Sequence, residues 1–391
     1  MTGHGVRRSA ALAVGFTVLC SLPLFLTSAF AVEVQRDLGF GRAQLGWCVS
    51  AYFLASSAAS AVAGGYLERA GPAGGMRASA AATAAVLVAI ATVAGSWVHL
   101  ALLLALAGVA NAVAQVGSNL LLAEGVPPGR RGLAFGLKQA AVPLGSLLAG
   151  LALPAVALTV GWRWGFAGVA GIAVAAAARP VRAPAGSARG RGGRGPRGAV
   201  LLLLAVAGAF GGGVGNSLVN FTVDAAVTSG MAQAAAGLLL SLGAGTAIAV
   251  RVGVGHLADR RDAPGFRELA SLMLAGAAGL AVLALAGRSA PLIVTGTLVG
   301  FAGAWGWQGL IYHVVVRRHP EAPAAATGLV QAGVYLGTIA GPPVVGQLAT
   351  VASYQAAWTV GACVSTGSGV LVLVARRLAA RRAPSPTASP G

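Results

Sequence analysis

Gly136-Leu137-Lys138-Gln139-Ala140-Ala141-Val142-Pro143-Leu144-Gly145 and Gly328-Leu329-Val330-Gln331-Ala332-Gly333-Val334-Tyr335-Leu336-Gly337 share Gly, Leu, Gln, Ala, Val, Leu and Gly in register at a shift of 192 residues. Two other regions repeat at a shift of 191. Gly39, Gly46 and Ser50 fall on Gly230, Gly237 and Ser241, and Gly64, Glu68 and Arg69 fall on Gly255, Asp259 and Arg260. In a chain with 59 glycines a few coincident glycines would carry no weight. Matches at shifts of 191 or 192 in three separate regions, mostly at the borders of apolar runs, mark a duplication of nearly half the chain.

The duplicated unit is built from long apolar runs. A transmembrane helix needs about 20 apolar residues, and such stretches occur at Ala10–Val32, Leu45–Tyr66, Ala78–Trp97, Leu100–Ala123, Leu133–Ala157 and Trp162–Ala178. Six more follow at Ala199–Val223, Ala234–Val254, Leu269–Ala286, Pro291–Val316, Ala324–Ala349 and Ala356–Val374. Backbone groups in lipid must be satisfied within their own segment, and barrel strands would be about ten residues long and alternating. The expected architecture is therefore all-α: twelve transmembrane helices in two six-helix bundles. Residues 1–178 form the first bundle and 179–198 a cytoplasmic linker rich in Arg, Gly and Pro. Residues 199–375 form the second bundle, and 376–391 a disordered cytoplasmic tail. Ala29-Phe30-Ala31 looks like a signal-peptidase site, but the preceding run is too long for a signal sequence, and cleavage there would destroy the repeat.

Composition agrees. Of 391 residues 57% are hydrophobic and 9% charged, against about a quarter charged in soluble proteins. The net charge of +18 could suggest nucleic acid, but a nucleic-acid groove needs cations clustered on a wet face. Here the arginines punctuate the apolar runs. With the N-terminus inside, twenty-one arginines fall in inner segments and four (Arg36, Arg42, Arg163, Arg288) in outer ones. That asymmetry is the positive-inside signal, and it puts both termini in the cytoplasm. Arginine replaces lysine everywhere except Lys138, a usage that fits a GC-rich genome and a bacterial inner membrane. Cys20, Cys48 and Cys363 lie in apolar runs without metal-ligand or disulfide spacing. No cofactor, metal or nucleic acid is expected. The expected partners are a small-molecule substrate and the lipid bilayer, with the chain a monomer.

Two parallel copies of six helices imply an axis along the membrane normal and a substrate site between the halves. At this point the sequence resembles the major facilitator superfamily, over about Ala10 to Val374. The family's signature is a cytoplasmic G-x-L-A-D-R-x-G loop after the second span, echoed after the eighth. The second copy here reads Gly255-His256-Leu257-Ala258-Asp259-Arg260, and the first Gly64-Gly65-Tyr66-Leu67-Glu68-Arg69-Ala70-Gly71. The first departs at Tyr66 and Glu68 and lacks the family's basic pair. The resemblance implies that Glu68, Arg69, Asp259 and Arg260 latch the cytoplasmic side; otherwise they are solvated loop borders. It also implies a transporter rather than an enzyme. The scattered histidines carry no metal spacing, and Gly243-Ala244-Gly245 lies mid-helix, without the strand a dinucleotide site requires.

Ionisable groups within a span are costly and mark function by default. Lys138 and Arg251 lie in the fifth and eighth spans with no acid at comparable depth. Arg251-x-x-x-Gly255 resembles the helix-8 arginine of monocarboxylate porters, which implies a carboxylate ligand. The competing reading is snorkelling to the interface or pairing with loop acids. Asn111, Gln115 and Asn119 form one polar stripe of the fourth span. Gln139, Asn216, Asn220, Trp305, Gln308 and Tyr312 add polar or aromatic positions on the fifth, seventh and tenth, and Thr17, Ser21 and Ser28 on the first. Family members line their central cavity with helices 1, 4, 7 and 10, so these are candidates for the substrate path, or for interhelical hydrogen bonds. Glu33 and Asp224 match at the 191 shift, at the outer ends of the first and seventh spans. They are candidates for proton coupling or an outer gate with Arg36 or Arg42, or are ordinary interfacial charges. Gly337-Thr338-Ile339-Ala340-Gly341-Pro342 resembles an antiporter motif but sits in the eleventh span, where it reads as a packing element. Leu104, four residues before Gly108, stands where drug/proton antiporters carry arginine. The expected activity is alternating-access transport of a small, monocarboxylate-like organic anion, with proton coupling. The alternative is efflux of a lipophilic or cationic compound through a cavity dominated by Trp305, Trp307 and Tyr335.

Overall fold

A computed structural model describes residues 3–126, 131–179, 198–259, 265–319 and 322–381. The expected linker from 180, the tail beyond 381, Arg260 and the Asp259 side chain lie outside the described residues. What is described is helix joined by short turns, with no strand among the described residues. The helices are α1 (Gly3–Ala29), α2 (Ala31–Leu38), α3 (Arg42–Val93), α4 (Trp97–Gly125), α5 (Arg131–Ala152), α6 (Trp162–Ala178) and α7 (Ala199–Thr228). They continue with α8 (Gln233–Asp259), α9 (Phe266–Leu285), α10 (Ala290–Gly300), α11 (Gln308–Arg318), α12 (Pro323–Val351) and α13 (Tyr354–Arg381).

Among the described residues ten helical segments are long and apolar enough to cross a membrane. One of them, the 52-residue α3, is two spans joined end to end, and the shorter α6 supplies a further crossing. Twelve crossings result, the tenth made of α10, a π-helical turn at Phe301–Trp305 and α11. The expected loop after the second span is a correction. Residues 67–77 are helical except at Gly71, whose φ of 70° and ψ of 156° reverse the chain. Only glycine takes that conformation without strain, and Pro72 disfavours helix at the residue before it. The first span also ends earlier than expected: Phe30 leaves helical geometry, and α2 follows as a separate short helix.

The two halves meet in a pattern that repeats the sequence duplication. The Ser50 hydroxyl donates to the Ile339 carbonyl at 2.5 Å, and its equivalent Ser241 donates to the Leu147 carbonyl at 2.9 Å. A Cβ on Gly46 would stand 2.5 Å from the Pro342 carbonyl oxygen, and one on its equivalent Gly237 2.7 Å from that of Gly150. Small residues are what allow membrane helices to approach this closely, α3 to α12 and α8 to α5. On the axis between them Ser28 of α1 donates to the Asn220 side chain of α7 at 2.5 Å, and these two residues are themselves 192 positions apart. The aromatic caps follow the same relation. Trp162 packs edge-on against Phe166 in the first half, and Tyr354 stacks on Trp358 in the second. All of these contacts fall towards one end of the molecule, where α1 and α7 finish and α3 and α8 begin; it is called the Arg42 end below.

Candidate functional site

Midway along the interface, α8 delivers Arg251 to a junction in the tenth span. The π-helical turn ends at Trp305 and α11 begins at Gln308, so the Trp305 carbonyl sits at a helix border where an outside donor can reach it. Arg251 uses it twice, through Nη2 at 2.7 Å and Nε at 3.2 Å. Its Nη2 also donates to Gln308 Oε1 at 2.8 Å, and its Nη1 crosses to the other half to reach the Gln139 carbonyl at 3.0 Å. The guanidinium lies 5.2 Å from the Trp305 ring centroid, a cation–π distance. Every partner is neutral. The Gln139 backbone carbonyl thus joins Arg251, Trp305 and Gln308 at a cross-half junction, with Lys138 next to it in the chain. Lys138 is 5% exposed and takes part in no ion pair among the described residues.

The remaining candidates divide. Asn216 binds Thr338 of α12 at 3.1 Å, and Asn220 donates to the Asn216 carbonyl at 2.7 Å while accepting from Ser28. Both are thus engaged in the cross-helix network near the axis. The three amides of the fourth span do not share one environment. Asn111 is buried and donates to Ser56 of α3 at 3.2 Å, Gln115 is half-buried, and Asn119 is exposed. On α1, Thr17 is buried with no partner for its hydroxyl, and Ser21 folds back on the Val18 carbonyl. Tyr312 of α11 donates to Gln331 of α12. Glu68 and Arg69 are exposed.

A second constellation lies at the Arg42 end. Asp224, near the end of α7, receives Arg42 Nε at 2.9 Å, Gln35 Nε2 at 3.2 Å and the Tyr354 hydroxyl. Arg42 further donates to Thr228 Oγ1 at 2.8 Å and to the Ala349 carbonyl at 3.2 Å, with its guanidinium 4.9 Å from the Tyr354 ring centroid. One arginine of the first half thus grips three elements of the second. Glu33 is 6% exposed and its two carboxyl oxygens have no hydrogen-bond partner. It lies in α2, beyond the first span, and burial pushes its carboxyl above the usual range, with its own backbone N–H and Arg36 pulling the other way. Sequence reasoning found Glu33, Asp224 and Arg42 but missed Gln35 and Tyr354. It also missed the clamp in which Asp37 accepts from Trp162 Nε1 at 3.2 Å and from Arg163 Nη2 at 3.3 Å. Tyr354 had one available signal, its place 192 residues after Trp162.

The fold and the paired interface define a polytopic helical membrane protein made of two related halves. A family model described as Major Facilitator Superfamily matches residues 9–287. The chain belongs to that superfamily, and it is a transporter rather than an enzyme by class. Among solved structures it is similar to a bacterial homologue of the human lysosomal transporter Spinster in an inward-facing, unoccupied conformation. That match has 15% identity and a TM-score of 0.71, covering 97% of this chain and 98% of that one. It is also similar to a D-xylose–proton symporter (15% identity, TM-score 0.73, 94% and 97% covered). A third is the human organic anion transporter MFSD10 (17% identity, TM-score 0.69, 95% and 100% covered). No curated protein matches the chain.

Proposed function

We propose that the protein carries a small organic anion across a cell membrane by alternating access, with the anion held between the halves by Lys138 and Arg251. The observation that carries this reading is Lys138, a lysine 5% exposed within a span and without an ionic partner among the described residues. Removing an ammonium from water costs several kcal/mol even after relaxation, a cost that an anionic ligand would offset. Arg251 supports it: its four hydrogen bonds among the described residues all go to neutral groups, and no described acid pairs with its charge. The arginine distribution orients the chain with both termini in the cytoplasm, which makes the Arg42 end the outer one and the described conformer closed towards the outside. Glu68 and Arg69 then border the inner mouth. Efflux through an aromatic cavity draws less support, because Trp307 is wholly buried in the second half and donates its indole N–H to the Ala304 carbonyl at 2.8 Å.

The test is direct binding to the purified protein of labelled short-chain carboxylates and of cationic dyes, with Lys138→Met and Arg251→Met beside the wild type. Carboxylate binding lost by more than tenfold in each variant supports the anion site. Dye binding unchanged by both, with no carboxylate bound, moves the protein to the efflux reading.

A further inference from the structure

The duplication that equates Asp224 with Glu33 also equates Arg42 with Gln233. Asp224 has its cation at 2.9 Å; the position that would supply one to Glu33 holds a neutral amide instead. Glu33 is accordingly 94% buried with both oxygens unpartnered. A carboxylate cut off from water and from donors is expensive, whereas a protonated carboxyl in the same place is not.

Among the described residues no charged group pairs with Glu33. On its own helix stand Arg36, which is exposed and attracts the carboxyl without forming an ion pair with it, and Asp37, which is taken by Arg163 of α6. From α7 comes Asp224, which is itself acidic. From α3 comes Arg42, committed to Asp224. The adjoining end of α1 carries no charged residue. Meanwhile α2 bridges the halves: Asp37 ties it to Trp162 and Arg163 of the first, and Gln35 ties it to Asp224 of the second.

We propose that α2 is a lid over the Arg42 end and that Glu33 is its proton site: the carboxyl takes a proton from the outer solution as the lid closes and releases it when the lid opens to water. The proposal rests on alternating access and not on the identity of the anion. Its sign follows from linkage. The closed state holds the proton more tightly than a hydrated carboxyl does. The resulting preference for closure is therefore complete below the ordinary carboxylate range and is lost as pH rises through the higher, closed-state value.

The experiment places spin labels at Val160→Cys and Leu285→Cys, exposed outer-end positions on opposite halves (61% and 82% exposed). The full chain, with its three native cysteines replaced, is held in lipid nanodiscs without substrate, and the distance distribution is followed from acid to alkaline pH. The wild type is expected to move from a short to a longer distance as pH rises, and Glu33→Gln to stay short throughout. Gln233→Arg, which keeps the carboxyl but supplies the missing cation, is expected to remove the pH response as well. A wild type without a pH response overturns the proposal. So does a wild-type response in Glu33→Gln, or, should that variant not fold, in Gln233→Arg. Because no substrate is present, failure to bind carboxylates leaves this test unaffected.

Discussion

Asp224 and Glu33 occupy equivalent places in the two halves and meet opposite fates. Asp224 is met by Arg42, Gln35 and Tyr354, and its side chain is 10% exposed. Glu33 is as deeply buried, and its carboxyl oxygens have no hydrogen-bond or ion-pair partner among the described residues. The segments that carry them are related by the duplication but differ locally: α7 runs unbroken through Asp224, whereas the helix breaks at Phe30 before Glu33. Their neighbours also diverged: arginine at 42 answers to glutamine at 233, and tyrosine at 354 to tryptophan at 162. The lesson is that a pseudo-symmetric interface can keep its packing rule, serine to carbonyl and glycine to backbone, while its charges specialise. One acid is held in an ion pair, and the other is buried without one among the described residues.

Several substitutions break or sharpen this comparison. Arg42→Ala removes the cation bound to Asp224 and strands a buried carboxylate. Breaking a buried pair costs about 3 to 5 kcal/mol; Arg42 is 31% exposed, so about 2 to 3 is expected here. Thermal unfolding in detergent should show the drop, with Glu33→Ala far less harmful at acid pH because no pair is lost. Gly237→Val and Gly46→Val insert side chains where a Cβ already meets backbone at 2.7 and 2.5 Å. Each should destabilise the closed interface by about 1 to 3 kcal/mol, read as a longer outer-end distance between spin labels. Equal effects would confirm that packing kept its symmetry where charge did not. Ser28→Ala removes the axial bond to Asn220 and should cost about 1 kcal/mol in the same unfolding assay. Asp37→Asn weakens an ion pair whose side chains are 51% and 37% exposed, and should cost less than about 1 kcal/mol.

The fold was legible in the sequence because lipid leaves the backbone few options. Apolar runs of span length could only be helices, and three regions matching at shifts of 191 or 192 pointed to a duplicated bundle. What the runs did not reveal was how they break. Residues 67–77 looked like a loop because Glu68, Arg69 and Pro72 interrupt the apolar pattern, yet the helix continues to Gly71 and resumes after it. The site was legible as residue types and illegible as pairings. Lys138 and Arg251 stood out by the cost of charge in a span. Nothing in the sequence said that Arg251 would bind the Trp305 carbonyl, because that depends on a π-helical turn with no residue code of its own. The stripe of Asn111, Gln115 and Asn119 shows the same limit: a shared helical face does not ensure a shared environment once neighbouring helices differ along their length.

The account stands most directly on counterflow in sealed proteoliposomes preloaded with unlabelled carboxylate and challenged with labelled carboxylate outside. The expected result is a transient accumulation of label above its equilibrium level, abolished by Lys138→Met and by Arg251→Met. Label that only equilibrates, without overshoot, or an overshoot unchanged in both variants, would contradict an anion carrier built on those two cations.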